Sequence, residues 1–327
     1  MRSRVTLVLA ITAVLLGGVL LVPAAYARLS SDDSSGGGGG GAASVAAPSP
    51  TPPPPPTLAA GPVSVDFKGQ FFSWALMDRQ TGKIAGSPNM AATSSTESMI
   101  KSWFAADYLR QLGSKPIPAA MKKNITTAIR NSNDDAANAL YAADGKAATI
   151  KRMVNTCGLT DTAALTSANR GTIPAMFIGW WSFTRMSPRD AVRLGDCIAD
   201  GKAAGQKYTA YLLSEMSKVQ GTTADKDQKT KSGGGRWGII DGLPKSITDQ
   251  GPVSIKNGWT RLVYDGNWHV NCLAVTDKWT LAVMLRYPAA KYPLDYGAQV
   301  CASVATQLVT PQPGAALKVP QQPVGKL

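Results

Sequence analysis

The stretch 253–287, VSIKNGWTRLVYDGNWHVNCLAVTDKWTLAVMLRY, decides the fold of this 327-residue chain. It contains three runs that are rich in Val, Leu, Trp and other residues favoured in strands. We predict strands over 253–262, 268–276 and 279–287. This end of the chain is therefore expected to contribute several strands to a sheet.

A second strand region is predicted near the other end of the chain. Residues 71–78, FFSWALMD, and 83–86, KIAG, flank a short Gly-containing loop and indicate a β-hairpin. Most other segments show helical periodicity or helix start signals. Predicted helices cover 98–112, 117–129, a segment from about 134, 187–198, 208–216 and 295–309. Strands at both ends around a central block of helices predict an α+β fold, in which helices flank an antiparallel sheet and form an all-helical subdomain.

Two long segments between these helices are predicted as loops. Residues 157–186 show weak periodicity and cluster Trp180, Trp181 and Phe183, which indicates a packed irregular loop. Residues 221–235 are basic and end in three glycines, which predicts a mobile loop.

The first 27 residues have the features of an export signal. Arg2 and Arg4 precede an apolar run over 5–22, and 25–27, AYA, is a small-residue cleavage site. The run is also nearly long enough to cross a bilayer, so an uncleaved N-terminal anchor is the alternative, and the only expected membrane contact. In either case we predict a protein that is secreted or held on the extracellular face of the cell envelope.

The rest of the chain divides into three parts. Residues 28–62 contain six consecutive glycines and five consecutive prolines, and we predict a disordered linker. Residues 63–310 have the composition of one folded domain. Residues 311–327 lack periodicity and are predicted to form a disordered tail.

Composition excludes several kinds of chemistry. The chain has one histidine, His269, so it cannot build a multi-histidine zinc site, and we expect no metal and no cofactor. Lys and Arg outnumber Asp and Glu by 34 to 21, which gives a net charge of +13. An exported protein of this charge is attracted to polyanions, so an anionic cell-wall polymer is a candidate partner. No nucleic-acid-binding motif is visible, and we expect no nucleic-acid partner.

The four cysteines indicate disulfides, because the chain is predicted to be exported and none of them has CxxC spacing. Three pairings are open. We favour Cys157 with Cys197 and Cys272 with Cys301, because each pair joins neighbouring segments of the predicted architecture.

Three short motifs occur in one order: 98–101, SMIK; 132–134, SND; and 256–258, KNG. The first places the hydroxyl of Ser98 and the amine of Lys101 one helical turn apart, where a Lys of lowered pKa could accept the Ser proton. Each motif alone also has an ordinary structural interpretation. Ser, Asn and Asp are common helix caps, and Asn-Gly is common in hairpin turns.

The order and context of these motifs resemble the serine β-lactamase and penicillin-binding-protein superfamily, most closely the class A β-lactamases. The resemblance extends over nearly the whole domain. Further matching segments are 78–83, DRQTGK; 132–140, SNDDAANAL; 187–190, SPRD; 242–244, GLP; and the strand pair over 268–283. A series of weak matches in one order is more specific than any single motif.

The resemblance implies a role for each motif residue. Ser98 would be the nucleophile and Lys101 the candidate base, while Ser132 would pass a proton to the leaving nitrogen. Lys256 would set the electrostatics of the site and hold a substrate carboxylate. The amides of Ser98 and Trp259 would form the oxyanion hole.

The remaining substrate contacts are also implied by the resemblance. Asp134, Asn257 and Gly258 would line the substrate site, with Gly258 allowing close approach of the substrate to an extended strand. Arg261 or Arg286 could bind the substrate carboxylate, and the sequence does not choose between them. His269 is predicted to be structural, because it lies in an apolar strand far from every motif.

Two departures from the family pattern limit the expected activity. The family's omega loop carries a Glu that activates the deacylating water, whereas this chain has no Glu between Glu97 and Glu215. Asp161 is the only acid between residues 144 and 190, and its side chain is shorter. In addition, Asp134 replaces an amide, which would favour a protonated Lys101. We therefore expect acylation with slow deacylation.

Two functional hypotheses follow. The first is an exported serine hydrolase or acyl-transferase that forms an acyl-enzyme at Ser98 with β-lactams or D-Ala-D-Ala-like wall peptides. The second is a non-catalytic, wall-associated binding module that retains the fold and part of the site.

Overall fold

A computed structural model describes residues 54–228 and 233–310. The predicted signal or anchor at 1–27, the predicted tail at 311–327 and most of the predicted linker lie outside these residues. Leu58, within the predicted linker, is buried and forms a backbone bridge with Val309. The packed part of the chain therefore begins before residue 63, because this leucine covers apolar surface beside the C-terminal helix.

The main sheet is antiparallel and combines both ends of the domain. The described strands are β1 (Phe71–Asp78), β2 (Ile84–Gly86), β3 (Ser94–Ser95), β4 (Arg185–Met186), β5 (Ser254–Ile255), β6 (Gly258–Leu262), β7 (Asn267–Val275) and β8 (Trp279–Pro288). The order in the main sheet is β2-β1-β8-β7-β5, and β6 also pairs with β7. β3 and β4 form a separate two-stranded ribbon. The N-terminal β1 thus lies against the C-terminal β8, as the sequence predicted.

The described helices are α1 (Lys101–Leu112), α2 (Ala119–Arg130), α3 (Asp134–Ala143), α4 (Ala147–Cys157), α5 (Pro188–Ala199), α6 (Gln206–Met216), α7 (Asp225–Gln228), α8 (Lys245–Thr248) and α9 (Leu294–Leu308). Short 3-10 helices cover Glu97–Ile100, Ala175–Phe177, Trp181–Phe183 and Ile239–Gly242. The sequence predicted neither α4 nor the single-turn helices. Among the described residues, no helix is both long and apolar enough to cross a bilayer.

β5 and β6 form one continuous edge along β7. Ile255 pairs with Ala274 and Gly258 pairs with Asn271, so the register does not change across the two residues between them. Asn257 and Gly258 therefore lie in extended chain, and the hairpin-turn interpretation of this motif is wrong. The backbone amide of Lys256 donates to Leu273 O at 3.0 Å, which keeps the intervening segment on the sheet.

Both favoured disulfides are present. The bond between Cys157 and Cys197 joins the end of α4 to α5. The bond between Cys272 and Cys301 joins β7 to α9. The pairing prediction is confirmed, and each bond connects a helix to an element that it packs against.

Candidate active site

Ser98 lies on the single-turn helix that leads into α1, at the junction between the sheet and the helical part of the domain. The residue before it, Glu97, has φ of +47°, which non-glycine residues adopt only when their surroundings hold them there. The preceding ribbon supplies that constraint, because β3 pairs with β4 and the amide of Thr96 donates to Thr184 O at 2.9 Å. Ser98 is thus presented from a fixed turn and not from a regular helix.

Gly258 brings β6 against this turn. A Cβ atom added at Gly258 would lie 2.5 Å from the amide nitrogen of Met99 and 2.7 Å from that of Ser98. The sequence attributed this glycine to close approach of a substrate. The structure gives a different reason, since the space that a side chain would need is filled by the backbone of residues 96–99, here called the Ser98 turn.

The SND motif forms the next wall of the site. Ser132 has φ of +54°, and Asn133 caps α3 by accepting from the amide of Ala136 at 2.8 Å. The cap interpretation therefore holds for Asn133. The left-handed backbone of Ser132 directs both its carbonyl and its hydroxyl toward buried lysines. Within the motif, Asn133 therefore caps the helix, whereas Ser132 contacts the lysines.

Two fully buried lysines converge on Ser132. Lys256 Nζ donates to Ser132 Oγ at 2.9 Å. Lys101 Nζ donates to Ser132 O and to Asp134 Oδ1, both at 2.5 Å, and lies 3.5 Å from Ser132 Oγ. Within the described parts of the chain, Lys101 makes no hydrogen bond to Ser98. The structure brings all four predicted catalytic residues to one place but pairs the candidate base with an acid.

Burial lowers the pKa of both lysines, and repulsion from Lys101 lowers the pKa of Lys256 further. Burial lowers the pKa of Lys101, and its ion pair with Asp134 opposes part of this shift. Burial and the nearby Lys101 ammonium hold the pKa of Lys256 well below its usual value of 10.5. The Asp134 carboxylate contacts Lys101, so it favours the charged form of Lys101 more than that of Lys256.

Ser98 opens into a cavity of about 660 Å³. Its described lining includes six aromatic residues and two acidic residues. The lining residues are Glu97, Ser98, Ser132, Asp134, Asn138, Tyr141, Phe177, Gly179, Trp180, Trp181, Ser182, Phe183, Gln228, Gly233, Trp259, Thr260 and Leu262. Within the described residues, no Lys, Arg or His side chain reaches this lining.

The predicted irregular loop supplies most of the aromatic wall. Trp181 lies beside Lys101, with Nζ 5.4 Å from the ring centroid, and its indole nitrogen donates to Asn138 Oδ1 at 2.8 Å. Asp161, the only acid near this loop in sequence, pairs instead with Arg189 at 2.8 Å. Burial favours the neutral form of Asp161, but the hydrogen bonds and charge of Arg189 outweigh it and lower the pKa of this carboxyl. The loop thus places an indole, and not a carboxylate, next to Lys101.

The predicted carboxylate contacts are not assembled in the cavity. The side-chain amide of Asn257 is buried and donates to Gly235 O at 2.9 Å and Trp237 O at 2.7 Å. Arg261 is exposed on β6 and does not line the cavity. Trp259 does line it, and its indole donates to Gln228 Oε1 at 2.6 Å.

The sequence missed a buried chain of hydrogen-bonded side chains behind the Ser98 turn. It contains Ser95, Glu97, Asp265 and the only histidine, His269, which lies on β7 directly beneath β3. Burial raises the pKa of the Glu97 carboxyl, although the charge of His269 and the hydroxyl of Ser95 act against this. No local motif links these residues, since their contact depends on how β3 packs over the sheet.

Comparison with solved structures identifies the fold. The TLA-1 extended-spectrum β-lactamase superposes with a TM-score of 0.54 at 13% identity, covering 73% of this chain and 92% of its own. A β-lactamase from Desulfarculus baarsii gives 0.51 at 14% identity, covering 73% and 90%. An ancestral class A β-lactamase gives 0.50 at 15% identity, covering 73% and 93%. No family model and no curated protein matches the chain.

The chain therefore has the class A β-lactamase fold, and the predicted α+β architecture is confirmed. At these identities the likeness establishes the fold alone. What the site does has to be argued from its own residues.

Proposed function

We propose that this protein is an exported serine acyl-transferring enzyme that forms an acyl-enzyme at Ser98, with β-lactams or D-Ala-D-Ala-like peptides as acyl donors. One observation carries the proposal: a buried Lys256 donates to Ser132 Oγ at 2.9 Å beside the cavity onto which Ser98 opens. The two disulfides are typical of exported proteins and support the predicted location.

The neutral member of the lysine pair provides the base. In the proposed step the Ser132 hydroxyl turns to donate its proton across this 2.9 Å contact to a neutral Lys256 amine, and Ser132 Oγ takes the proton of Ser98. Ser98 Oγ then bonds to the carbonyl carbon of the donor while the bond from that carbon to the leaving group breaks. Ser132 returns the proton to the leaving group. The Ser98 and Trp259 amides are the proposed oxyanion donors.

Slow deacylation is part of the proposal. The loop position beside Lys101 is occupied by Trp181, so that loop offers no carboxylate to activate water. The acyl-enzyme should therefore persist for much longer than one acylation event.

We also expect the enzyme to select only weakly for substrates that carry a carboxylate, since the Asn257 side-chain amide donates to backbone carbonyls.

Intact-mass spectrometry tests this proposal directly. We expect one covalent adduct on the purified protein with a fluorescent penicillin or a fluorophosphonate probe, and no adduct on Ser98→Ala. The labelling rate should rise with pH through an inflection below 10.5, the ordinary value for lysine. Rapid steady-state hydrolysis of a chromogenic cephalosporin would contradict slow deacylation.

The second candidate function is a non-catalytic wall-binding module. The ion pair between Lys101 and Asp134 favours it, because this pair holds the family's usual base in its charged form. The positive charge of the chain would then attract an anionic wall polymer. Absence of any adduct with the penicillin and the fluorophosphonate, together with sedimentation on purified walls, would support this module over the enzyme.

A further inference from the structure

A chain of hydrogen bonds leads from the cavity into the protein interior. Ser95 Oγ donates to Glu97 Oε1 at 2.6 Å. The same oxygen lies 2.9 Å from His269 Nδ1, and His269 Nε2 lies 2.9 Å from Asp265 Oδ2. Ser95, Glu97 and His269 are all at most 2% exposed. Glu97, next to Ser98, is the member of the chain that lines the cavity.

The hydrogen-bonded chain from Glu97 through Ser95 and His269 to Asp265 can distribute its protons in two ways without a change in net charge. In one arrangement Glu97 is ionised, Ser95 donates to it, and a doubly protonated His269 donates to Ser95 and Asp265. In the other, Glu97 carries a proton and donates to Ser95, which donates to a singly protonated His269. Shifting two protons along the chain interconverts the two arrangements. Glu97 can therefore present either a base or an acid to the cavity.

Two arginines lie on the strands next to Ser95 and His269. Arg185 pairs with Ser95 across the ribbon, and Arg286 pairs with His269 across the sheet. Neither arginine forms an ion pair within residues 54–228 and 233–310. The phenol of Tyr264 also lies near the histidine, with ring centroids 6.4 Å apart.

Glu97 is also the carboxyl group best placed for proton transfer. Among the described residues, Glu97 and Asp134 are the two acidic residues that line the cavity. Asp134 is bound to Lys101 at 2.5 Å, and Asp161 is bound to Arg189. Glu97 alone is connected to a second proton-accepting group, the imidazole of His269.

We propose that Glu97 is the proton acceptor for hydrolysis of the acyl-enzyme, and that Ser95, His269 and Asp265 are its positioning residues. A water oxygen bonds to the acyl carbon and gives its proton to the Glu97 carboxylate. The bond from the acyl carbon to Ser98 Oγ then breaks, and the same proton passes to Ser98 Oγ. The products are the free carboxylic acid and the unmodified serine. This inference rests on the proposed acyl-enzyme and assigns the route by which it is hydrolysed.

Release of a preformed acyl group tests the assignment. Protein acylated with penicillin is freed of excess reagent, and loss of the adduct is followed by intact mass. We expect Glu97→Gln to release the acyl group at least about tenfold more slowly than wild type, as for loss of a general base. Ser95→Ala should also slow release. Ser94→Ala is the matched control, since Ser94 is equally buried in the same strand but its hydroxyl has no partner among the described residues.

Nitrogen NMR provides a second readout that a merely structural role would not move. The chain has one histidine, so both ring nitrogens can be assigned without mutation. We expect the Nδ1 resonance of His269 to shift in Glu97→Gln and in Ser95→Ala, and to stay unchanged in Ser94→Ala. If Glu97→Gln does not fold, the two serine variants decide the question in both measurements.

The outcomes separate this inference from the proposed function. If no reagent labels Ser98, the proposed function fails, and the assignment of a hydrolytic base fails with it, whatever the NMR readout. If Ser98 is labelled but Ser95→Ala and any folded Glu97→Gln release the acyl group at the wild-type rate, only the assignment of Glu97 is overturned. Slower release together with a shifted His269 resonance supports it.

Discussion

Ser132 combines a strained backbone with a hydroxyl that the proposed chemistry requires. Its φ of +54° costs a non-glycine residue about 1–3 kcal/mol. The conformation lets Lys101 reach the Ser132 carbonyl while Lys256 reaches the hydroxyl. Backbone strain at this residue is thus associated with the contacts that gather the two lysines.

A pair of substitutions at Ser132 should separate strain from chemistry. We expect Ser132→Ala and Ser132→Gly both to lose most acylation of Ser98, because neither retains the proton-relaying hydroxyl. Ser132→Gly should be more stable than Ser132→Ala by about 1 kcal/mol or more, since only glycine tolerates this φ without strain. Urea unfolding and penicillin labelling measure the two effects. Equal stability of the two variants would contradict the strain.

Lys101 and Asp134 present a second question at the level of residues. Asp134 is largely exposed, with 73% of its side chain accessible, while its partner Lys101 is fully buried. Removing the acid should lower the pKa of Lys101 further and make a second neutral amine available. We expect Asp134→Asn to label with a fluorophosphonate severalfold faster than wild type near neutral pH. An unchanged or slower rate would mean that the ion pair does not restrain the site.

At the level of elements, the contact between β6 and the Ser98 turn depends on Gly258. Gly258→Ala should cost about 1–3 kcal/mol of stability, because the added carbon has no space beside the Ser98 and Met99 amides. Acylation should fall as well, since the turn must move. Gly61→Ala is a suitable control, because the atom nearest to a Cβ atom added at Gly61 is 4.0 Å away. Thermal unfolding and labelling that match the control would argue against this packing.

The junction of α1, α3 and α4 should make stability depend on pH. Burial and the nearby Asp107 raise the pKa of Asp144 from 3.8 to about 8. Between these values the folded state keeps a proton that the unfolded state releases, so the free energy of unfolding falls as pH rises. Over this pH range the free energy of unfolding falls by up to about 1.4 kcal/mol per pH unit.

Asp144→Asn should remove this dependence. The amide oxygen can still accept from Gln111, which donates to Asp144 Oδ1 at 3.1 Å in the wild type. We therefore expect the variant to gain stability over wild type as pH rises from 4 to 8, measured by urea unfolding at several pH values. Parallel pH profiles for the two proteins would show that Asp144 is ionised in the folded state.

At the level of the whole molecule, two disulfides connect helices to the rest of the fold. The Cys157–Cys197 bond closes a separation of 40 residues and the Cys272–Cys301 bond one of 29. By the chain-entropy estimate, each contributes about 3–4 kcal/mol. Cys157→Ala/Cys197→Ala should therefore unfold at a clearly lower urea concentration than wild type. Dithiothreitol should lower the wild-type midpoint further than the variant's, and an unchanged variant midpoint would refute the estimate.

Local patterns in the sequence were sufficient for the elements and for the motif residues. Runs of residues favoured in strands over 268–287 predicted two strands, and the capping residues before α3 and α5 predicted their starts. The motif order pointed to Ser98, Lys101, Ser132 and Lys256. The two lysines meet at Ser132, and Ser98 lines the same cavity as Ser132. These signals are local in sequence, so they can be recognised without knowing the packing.

The sequence by itself determined the strands of the main sheet, most helices and the lack of a loop Glu, and it favoured the cysteine pairing. Only the tertiary structure decided that Lys101 pairs with Asp134, that the Asn257 amide turns away from the cavity, and that His269 connects to Glu97 through Ser95. The reason is physical. Hydrogen bonds and pKa values depend on distances between side chains far apart in sequence, and those distances are fixed only when the sheet, the ribbon and the helices pack together.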